Sequence, residues 1–166
     1  MRRQSKRKLR YYWDTCCFIA LLNREPTTDV AVLLALEQTY REMLQERVEI
    51  VPCSVLITEL ITPEGEKFIS ELRKCPAFEM AETVAAVHEL ARNLRRRCRE
   101  ANTHIPKTPD ALHLASAILS KADEFWTTDQ RLLSVSAVQR LLSVSAVVNE
   151  ITICLPHVEQ PKLGLE

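Results

Sequence analysis

The stretch Tyr11-Tyr12-Trp13-Asp14-Thr15-Cys16-Cys17-Phe18-Ile19-Ala20-Leu21-Leu22-Asn23 decides how the rest of the chain is read. Three consecutive aromatic residues closed by a lone acid predict a short buried strand, Tyr11 to Trp13. Thr15 to Asn23, rich in Phe18, Ile19, Leu21 and Leu22, predicts a short helix. Phe125-Trp126-Thr127-Thr128-Asp129 repeats the arrangement near the other end. Asp14 and Asp129 therefore both fall at the carboxyl ends of strands, where open α/β sheets bind ligands.

The segments between alternate in the same way. Thr27-Thr28-Asp29 supplies a helix start, and Val30, Leu33, Leu34, Leu36, Tyr40, Met43 and Leu44 carry the helical period to about Arg47. Glu49 to Pro52 predicts a second strand, with Ser54 as N-cap of a helix that carries Glu59. Thr62-Pro63-Glu64 opens a helix that ends near Lys74. Ala77 to Met80 predicts a short third strand, and Thr83 to Arg99 a helix with Val84, Val87, Leu90, Ala91 and Leu94 on one face. Thr108-Pro109-Asp110 starts the next helix, which runs to about Lys121 and buries Leu112, Ala115 and Leu119. A fourth strand at Phe125 to Thr127 and a last one near Ile151 to Leu155 complete the pattern. Strands alternating with helices imply a mainly parallel sheet covered on both faces, a Rossmann-like α/β/α sandwich.

The chain has 166 residues, 46% of them hydrophobic and only 2 of them glycine, which suits one helix-rich domain rather than a disordered or collagen-like chain. The expected division is a disordered basic arm at 1–10, one folded domain over 11–158 and a tail at 159–166. No apolar run approaches the ~20 residues of a membrane span, and MRRQSKRKLR lacks the apolar stretch of a signal peptide, so a cytoplasmic location is expected. The six cysteines (Cys16, Cys17, Cys53, Cys75, Cys98, Cys154) show no paired spacing, which argues against structural zinc and for reduced thiols. Arg131 to Gln139 and Arg140 to Val148 form a near-perfect nine-residue repeat, too short for a solenoid. It reads as a tandem duplication absorbed in a surface helix or loop.

Net charge is zero but unevenly spread. Arg2, Arg3, Lys6, Arg7, Lys8 and Arg10 crowd the first ten positions without an acid, and Arg92, Arg95, Arg96, Arg97 and Arg99 cluster on one expected helix. Either cluster alone reads as a solvated tail or helix face. Together, beside an acidic site, they favour a nucleic-acid partner.

The acidic site is expected at Asp14, Glu59, Asp110 and Asp129. Carboxylates gathered from distant parts of a chain repel one another and are costly to desolvate, so a fold that collects them places a cation between them. All-oxygen ligands suit Mg²⁺ or Mn²⁺. Taken singly, Asp110 is an ordinary first-turn acid and Asp129 an ordinary turn residue. Glu59 is different, since an unpaired carboxylate in the apolar run Val55 to Ile61 would be expensive. His113 reads as a satisfied core or supporting histidine rather than a general base. Asp123 and Glu124 read as solvated turn acids.

YYWDTCCFIALLN, VPCSVLITELI, TPDALHLASAIL and FWTTDQRLL resemble, in order, the four signature segments of PIN-domain ribonucleases, covering most of residues 11 to 155. The resemblance implies a metal site at Asp14, Glu59, Asp110 and Asp129, with Thr15 and Thr127 in support. It also implies an RNA-cutting enzyme that uses Mg²⁺ or Mn²⁺ and is often the toxin of a toxin–antitoxin pair. The expected chemistry is metal-assisted hydrolysis of phosphodiester bonds by an activated water. An antitoxin protein and a second copy of the chain are the expected partners, and Arg95 and Arg96 with the N-terminal arm the expected RNA contacts. Rival readings are a non-catalytic RNA- or protein-binding module and a structure-specific DNA nuclease.

Overall fold

The computed structural model describes residues 7–24, 26–133 and 151–158. Their elements are β1 (Leu9–Trp13), α1 (Thr15–Asn23), α2 (Val30–Leu44), β2 (Val48–Ile50), α3 (Val55–Glu59), α4 (Pro63–Leu72), α5 (Ala85–Glu100), α6 (Thr108–Leu119), β3 (Glu124–Trp126), α7 (Gln130–Leu133) and β4 (Thr152–Cys154). The four strands form one sheet in the order β2-β1-β3-β4. Every pair is parallel, with Tyr11 opposite both Ile50 and Glu124, and Trp126 opposite Cys154. The chain moves from β1 to one side and returns to the other, so the strand order reverses between β1 and β3. At such a reversal the crossover connections diverge and leave a crevice at the strands' carboxyl ends.

Strand side chains alternate between two covered faces. Tyr11, Trp13 and Trp126 point into a core shared with Phe18 of α1, Leu36 and Met43 of α2, and Ile69 and Leu72 of α4. Tyr12 and Phe125 point into the opposite core with Leu94 of α5 and Leu114 of α6. Tyr12 and Phe125 stack nearly parallel at 5.2 Å across β1 and β3. The α/β/α sandwich expected from the sequence is thus the observed architecture.

Local differences have local causes. β1 begins at Leu9, two residues before Tyr11 and inside the expected arm. The segment expected as a third strand, Ala77 to Met80, makes only isolated parallel bridges at Ile50–Phe78 and Cys53–Ala81. Pro52, between those bridges, has no N–H to donate, so the ladder loses that bond although the Pro52 carbonyl still accepts the Ala81 N–H at 2.8 Å. In α6 the buried face is Ala111, Leu114 and Ala115, with Leu119 47% exposed, because the stripe turns toward α5 rather than along Leu112 and Leu119. Val30, Leu34 and Leu44 of α2 and Val84 before α5 are likewise exposed. All six cysteines are free thiols. Most of the nonapeptide repeat, the Arg2, Arg3 and Lys6 part of the arm and the expected tail at 159–166 lie outside the described residues. Among the described residues no helix is long and apolar enough to cross a membrane.

Candidate active site

Asp14 leaves β1 at the crevice and serves as N-cap of α1. Its Oδ1 accepts the Thr15 N–H at 2.8 Å, which anchors the helix start. Its Oδ2 accepts the hydroxyl of Thr127 at 2.8 Å, a residue just beyond β3 with no exposed surface. The same Thr127 hydroxyl oxygen accepts the Asp129 N–H at 3.0 Å. One buried hydroxyl therefore fixes the Asp14 carboxylate and the backbone of Asp129 together across the switch point.

Asp129 also caps α7. Its Oδ1 accepts the Arg131 N–H at 2.8 Å, and the Arg131 guanidinium grips the carboxylate, with Nη2 2.6 Å from Oδ2. That cation holds the Asp129 carboxyl below its ordinary range. Arg131 was not singled out in the sequence; the spacing Asp-x-Arg at a helix start was the available signal. Asp110 stands in the first turn of α6, where its Oδ2 accepts the Lys107 N–H at 3.3 Å. A capping acid at a helix N-terminus is ordinarily stabilised in its charged form. Here burial, then the charge of Asp14, raise the Asp110 carboxyl instead, and Asp129 adds to the effect. The charges of Asp14 and Asp129, from two other elements, thus both oppose ionisation of Asp110.

Glu59 ends α3 and reaches the same crevice. Its Oε2 accepts the Thr15 hydroxyl and stands 3.1 Å from His113 Nε2. The histidine hydrogen bond holds the Glu59 carboxyl below its usual value. His113, one turn along α6 from Asp110, is almost fully buried, and its Nε2 is also 3.7 Å from Asp14 Oδ1. Its Nδ1 meets the Tyr12 hydroxyl at 2.8 Å, which in turn accepts the Cys53 N–H at 3.0 Å. Burial pulls His113 toward neutrality, but its contacts with Cys53 and Glu59 and the charge of Asp14 outweigh that and push it up to about 10. The supporting role expected of His113 matches this packing, while Tyr12 and Cys53 were not anticipated. Their signal was hidden in apolar runs that read as pure core.

The described cationic residues of the expected arm are not beside these acids. Arg7 pairs with Asp123, Lys8 with Glu46 at 3.9 Å, and Arg10 with Glu49 at 2.8 Å and Glu79 at 3.0 Å. All three stand at the amino end of β1, the opposite end of the sheet from Asp14. Asp123 and Glu124 are part-exposed but paired: Asp123 accepts the Arg10 N–H at 2.8 Å, and Glu124 accepts the Trp126 indole N–H at 2.7 Å. Arg95 lies nearer the acids. It donates to the Pro106 carbonyl at 3.0 Å and to the Thr108 hydroxyl at 3.3 Å, on the segment that leads to Asp110. Arg96 pairs with Glu100 at 3.8 Å on its own helix.

The family model of the PIN domain matches residues 11–138. This chain belongs to the PIN domain family. PIN domains are generally nucleases and typically use divalent metal ions. Solved structures share the fold over most of their length. VapBC2 from Rickettsia felis, bound to a DNA fragment from their promoter, aligns with a TM-score of 0.58 at 16% identity, over 89% of this chain and 98% of that one. FitAcB from Neisseria gonorrhoeae aligns at 0.56 and 11% identity, over 88% and 97% of the two chains. DNA-bound VapBC from Salmonella typhimurium aligns at 0.56 and 12%, over 88% and 97%. No curated protein matches the sequence significantly.

Proposed function

We propose that this PIN-domain protein is a metal-dependent endoribonuclease and the toxin of a toxin–antitoxin pair, acting in the cytoplasm. The observation that carries the reading is the tie of Asp14 and the Asp129 backbone to one buried Thr127 hydroxyl at the switch point of the sheet, with Glu59 joined to Asp14's helix through Thr15 and Asp110 in the first turn of α6. By chemical type the donor set suits a hard divalent ion, since the four groups are all carboxylates. Mg²⁺ or Mn²⁺ would be held by Asp14, Asp110 and Asp129, with Glu59 as a direct ligand or through water. When bound, such an ion supplies a Lewis acid for the phosphate and a nucleophilic water at neutral pH.

The protein's own residues keep those oxygens aimed. Thr127 fixes the Asp14 carboxylate, Arg131 fixes that of Asp129, and Thr15 and His113 fix that of Glu59. None of these side chains acts as a nucleophile. Support for an antitoxin partner comes from fold neighbours solved as VapBC and FitAcB assemblies, one of them on promoter DNA. A homodimer is the proposed state of the toxin.

Cleavage of a mixed-sequence RNA by purified protein tests the reading, with Asp14→Asn and Asp110→Asn as probes. Each variant should lose most turnover and keep wild-type circular dichroism, because a neutral amide is a poor ligand for a hard cation. Wild-type rates in both would leave a binding module as the better description.

A further inference from the structure

We propose that Glu124, Cys154 and His157 form a second metal site, selective for Zn²⁺, at the outer edge of the sheet and separate from the carboxylate crevice. Glu124 Oε2 stands 3.6 Å from Cys154 Sγ and 3.6 Å from His157 Nε2, and Cys154 Sγ is 3.9 Å from His157 Nδ1. One ligand atom from each residue lies within 4.8 Å of the others. In a tetrahedral site with Zn–S near 2.3 Å and Zn–N or Zn–O near 2.0–2.1 Å, ligand atoms stand roughly 3.3–3.6 Å apart. The two 3.6 Å separations from Glu124 Oε2 already stand at that spacing, and a turn of the imidazole that brings Nε2 toward Cys154 Sγ completes the triad.

The surroundings of the ligands also have the form of a metal site. Metal-binding histidines usually donate their other ring N–H to a carbonyl or carboxylate, and ligating carboxylates are themselves hydrogen-bonded. His157 Nδ1 is 3.2 Å from the Leu155 carbonyl, which leaves Nε2 to face Glu124, and Glu124 Oε2 accepts the Trp126 indole N–H at 2.7 Å. The imidazole packs on the Trp126 ring with centroids 5.6 Å apart. Burial and then the Glu124 carboxylate push the Cys154 thiol up to about 12, so it is protonated without a cation beside it. On binding, the S–H bond breaks, a Zn–S bond forms and one proton passes to solvent. Glu124 gives a carboxylate oxygen and His157 its Nε2 lone pair. A fourth position is left to water.

The site joins β4 and the turn after it to β3. Through the Thr127 N–H, which the Cys154 carbonyl accepts at 3.1 Å, it braces the segment that carries Thr127 and Asp129. The ligand chemistry separates it from the crevice, since thiolate and imidazole favour Zn²⁺ whereas an all-carboxylate site favours Mg²⁺ or Mn²⁺.

Calorimetric titration of Zn²⁺ into the full-length reduced protein, in millimolar Mg²⁺ to fill the carboxylate site, tests this. One Zn²⁺ should bind in the micromolar range or tighter, and the heat should vary with buffer ionisation enthalpy as for one released proton. Cys154→Ser and the surface change His157→Ala should each weaken binding about 10-fold or more, while Cys75→Ser should not. Co²⁺ should give a thiolate charge-transfer band that Cys154→Ser removes. No binding in this range, or equal binding by wild type and a folded His157→Ala, would overturn the site whatever the fate of the nuclease.

Discussion

Thr127 donates its hydroxyl to Asp14 across the switch point, 2.8 Å from Oδ2, although 113 residues separate them in sequence. The hydroxyl is buried, so water cannot replace it as a donor. Removing it leaves an Asp14 lone pair and the Asp129 N–H unanswered. Thr127→Val, which keeps the shape, should lower RNA cleavage by about 10-fold to 100-fold, in the range of losses seen when a ligand's supporting hydrogen bond is removed. Thr127→Ser should retain most activity. Equal rates for the valine and serine variants would show that the hydroxyl does not orient the site.

Chelation should stop RNA cleavage, and added Mg²⁺ or Mn²⁺ should restore it, because gathered carboxylates repel a phosphate unless a cation stands between them. The check is a gel assay with nuclease-free protein in EDTA and after re-addition of each ion. Undiminished cleavage in EDTA would contradict the metal reading. Ca²⁺, larger and more flexible in coordination, should support it poorly.

His113 ties three elements together through Tyr12, Glu59 and Asp14. His113→Ala should therefore cost about 2–4 kcal/mol of stability, combining a buried cavity with a Tyr12 hydroxyl left without its ring-nitrogen partner and a Glu59 carboxylate left with Thr15 alone. Denaturant unfolding measures it directly. A loss below about 1 kcal/mol would mean that water enters and satisfies those groups.

The sequence reveals these relationships unevenly. Asp14 and Asp129 were legible because each closes an aromatic strand, and Thr15–Asn23 matched its expected helix to the residue. Glu59 was legible because its neighbours are apolar. Tyr12 and Cys53 were not, since an aromatic residue or a thiol within an apolar run looks the same whether or not its polar atom is used. Arg10 was misleading for a related reason: a run of bases reads as a free arm until the fold brings Glu49, Glu79 and Asp123 to its side. Long-range pairing of that kind leaves no local period to detect.

Arg10 makes a separate stability prediction. It donates to Glu49, to Glu79 and to the Ser120 carbonyl at 2.9 Å, linking β1 to β2 and to the end of α6. Arg10→Ala should cost about 1–2 kcal/mol, the lower end reflecting partial solvent screening. Melting in low and high salt separates the ionic share, since the cost should shrink as salt rises.

RNA contact by the two basic clusters can be divided by salt dependence, because each phosphate neutralised in a single strand adds about 0.7 to the slope of log affinity against log salt. Deleting residues 1–6 removes Arg2, Arg3 and Lys6 while sparing β1. If all three contact phosphates, the slope should fall by about 2. The arginines of α5 offer the nearer surface: Arg92, Arg95, Arg96 and Arg99, with Ile105, line a concavity of about 310 Å³ beside the segment that leads to Asp110. Arg92→Ala and Arg99→Ala should each lower the slope by about 0.7 without changing cleavage at saturating RNA. Arg95→Ala should lower both the slope and, in the Asp14-intact protein, the cleavage rate, since its bonds to Pro106 and Thr108 also position the start of α6. Measured on Asp14→Asn protein to prevent cleavage, unchanged slopes for both the deletion and the α5 variants would exclude either cluster from RNA binding.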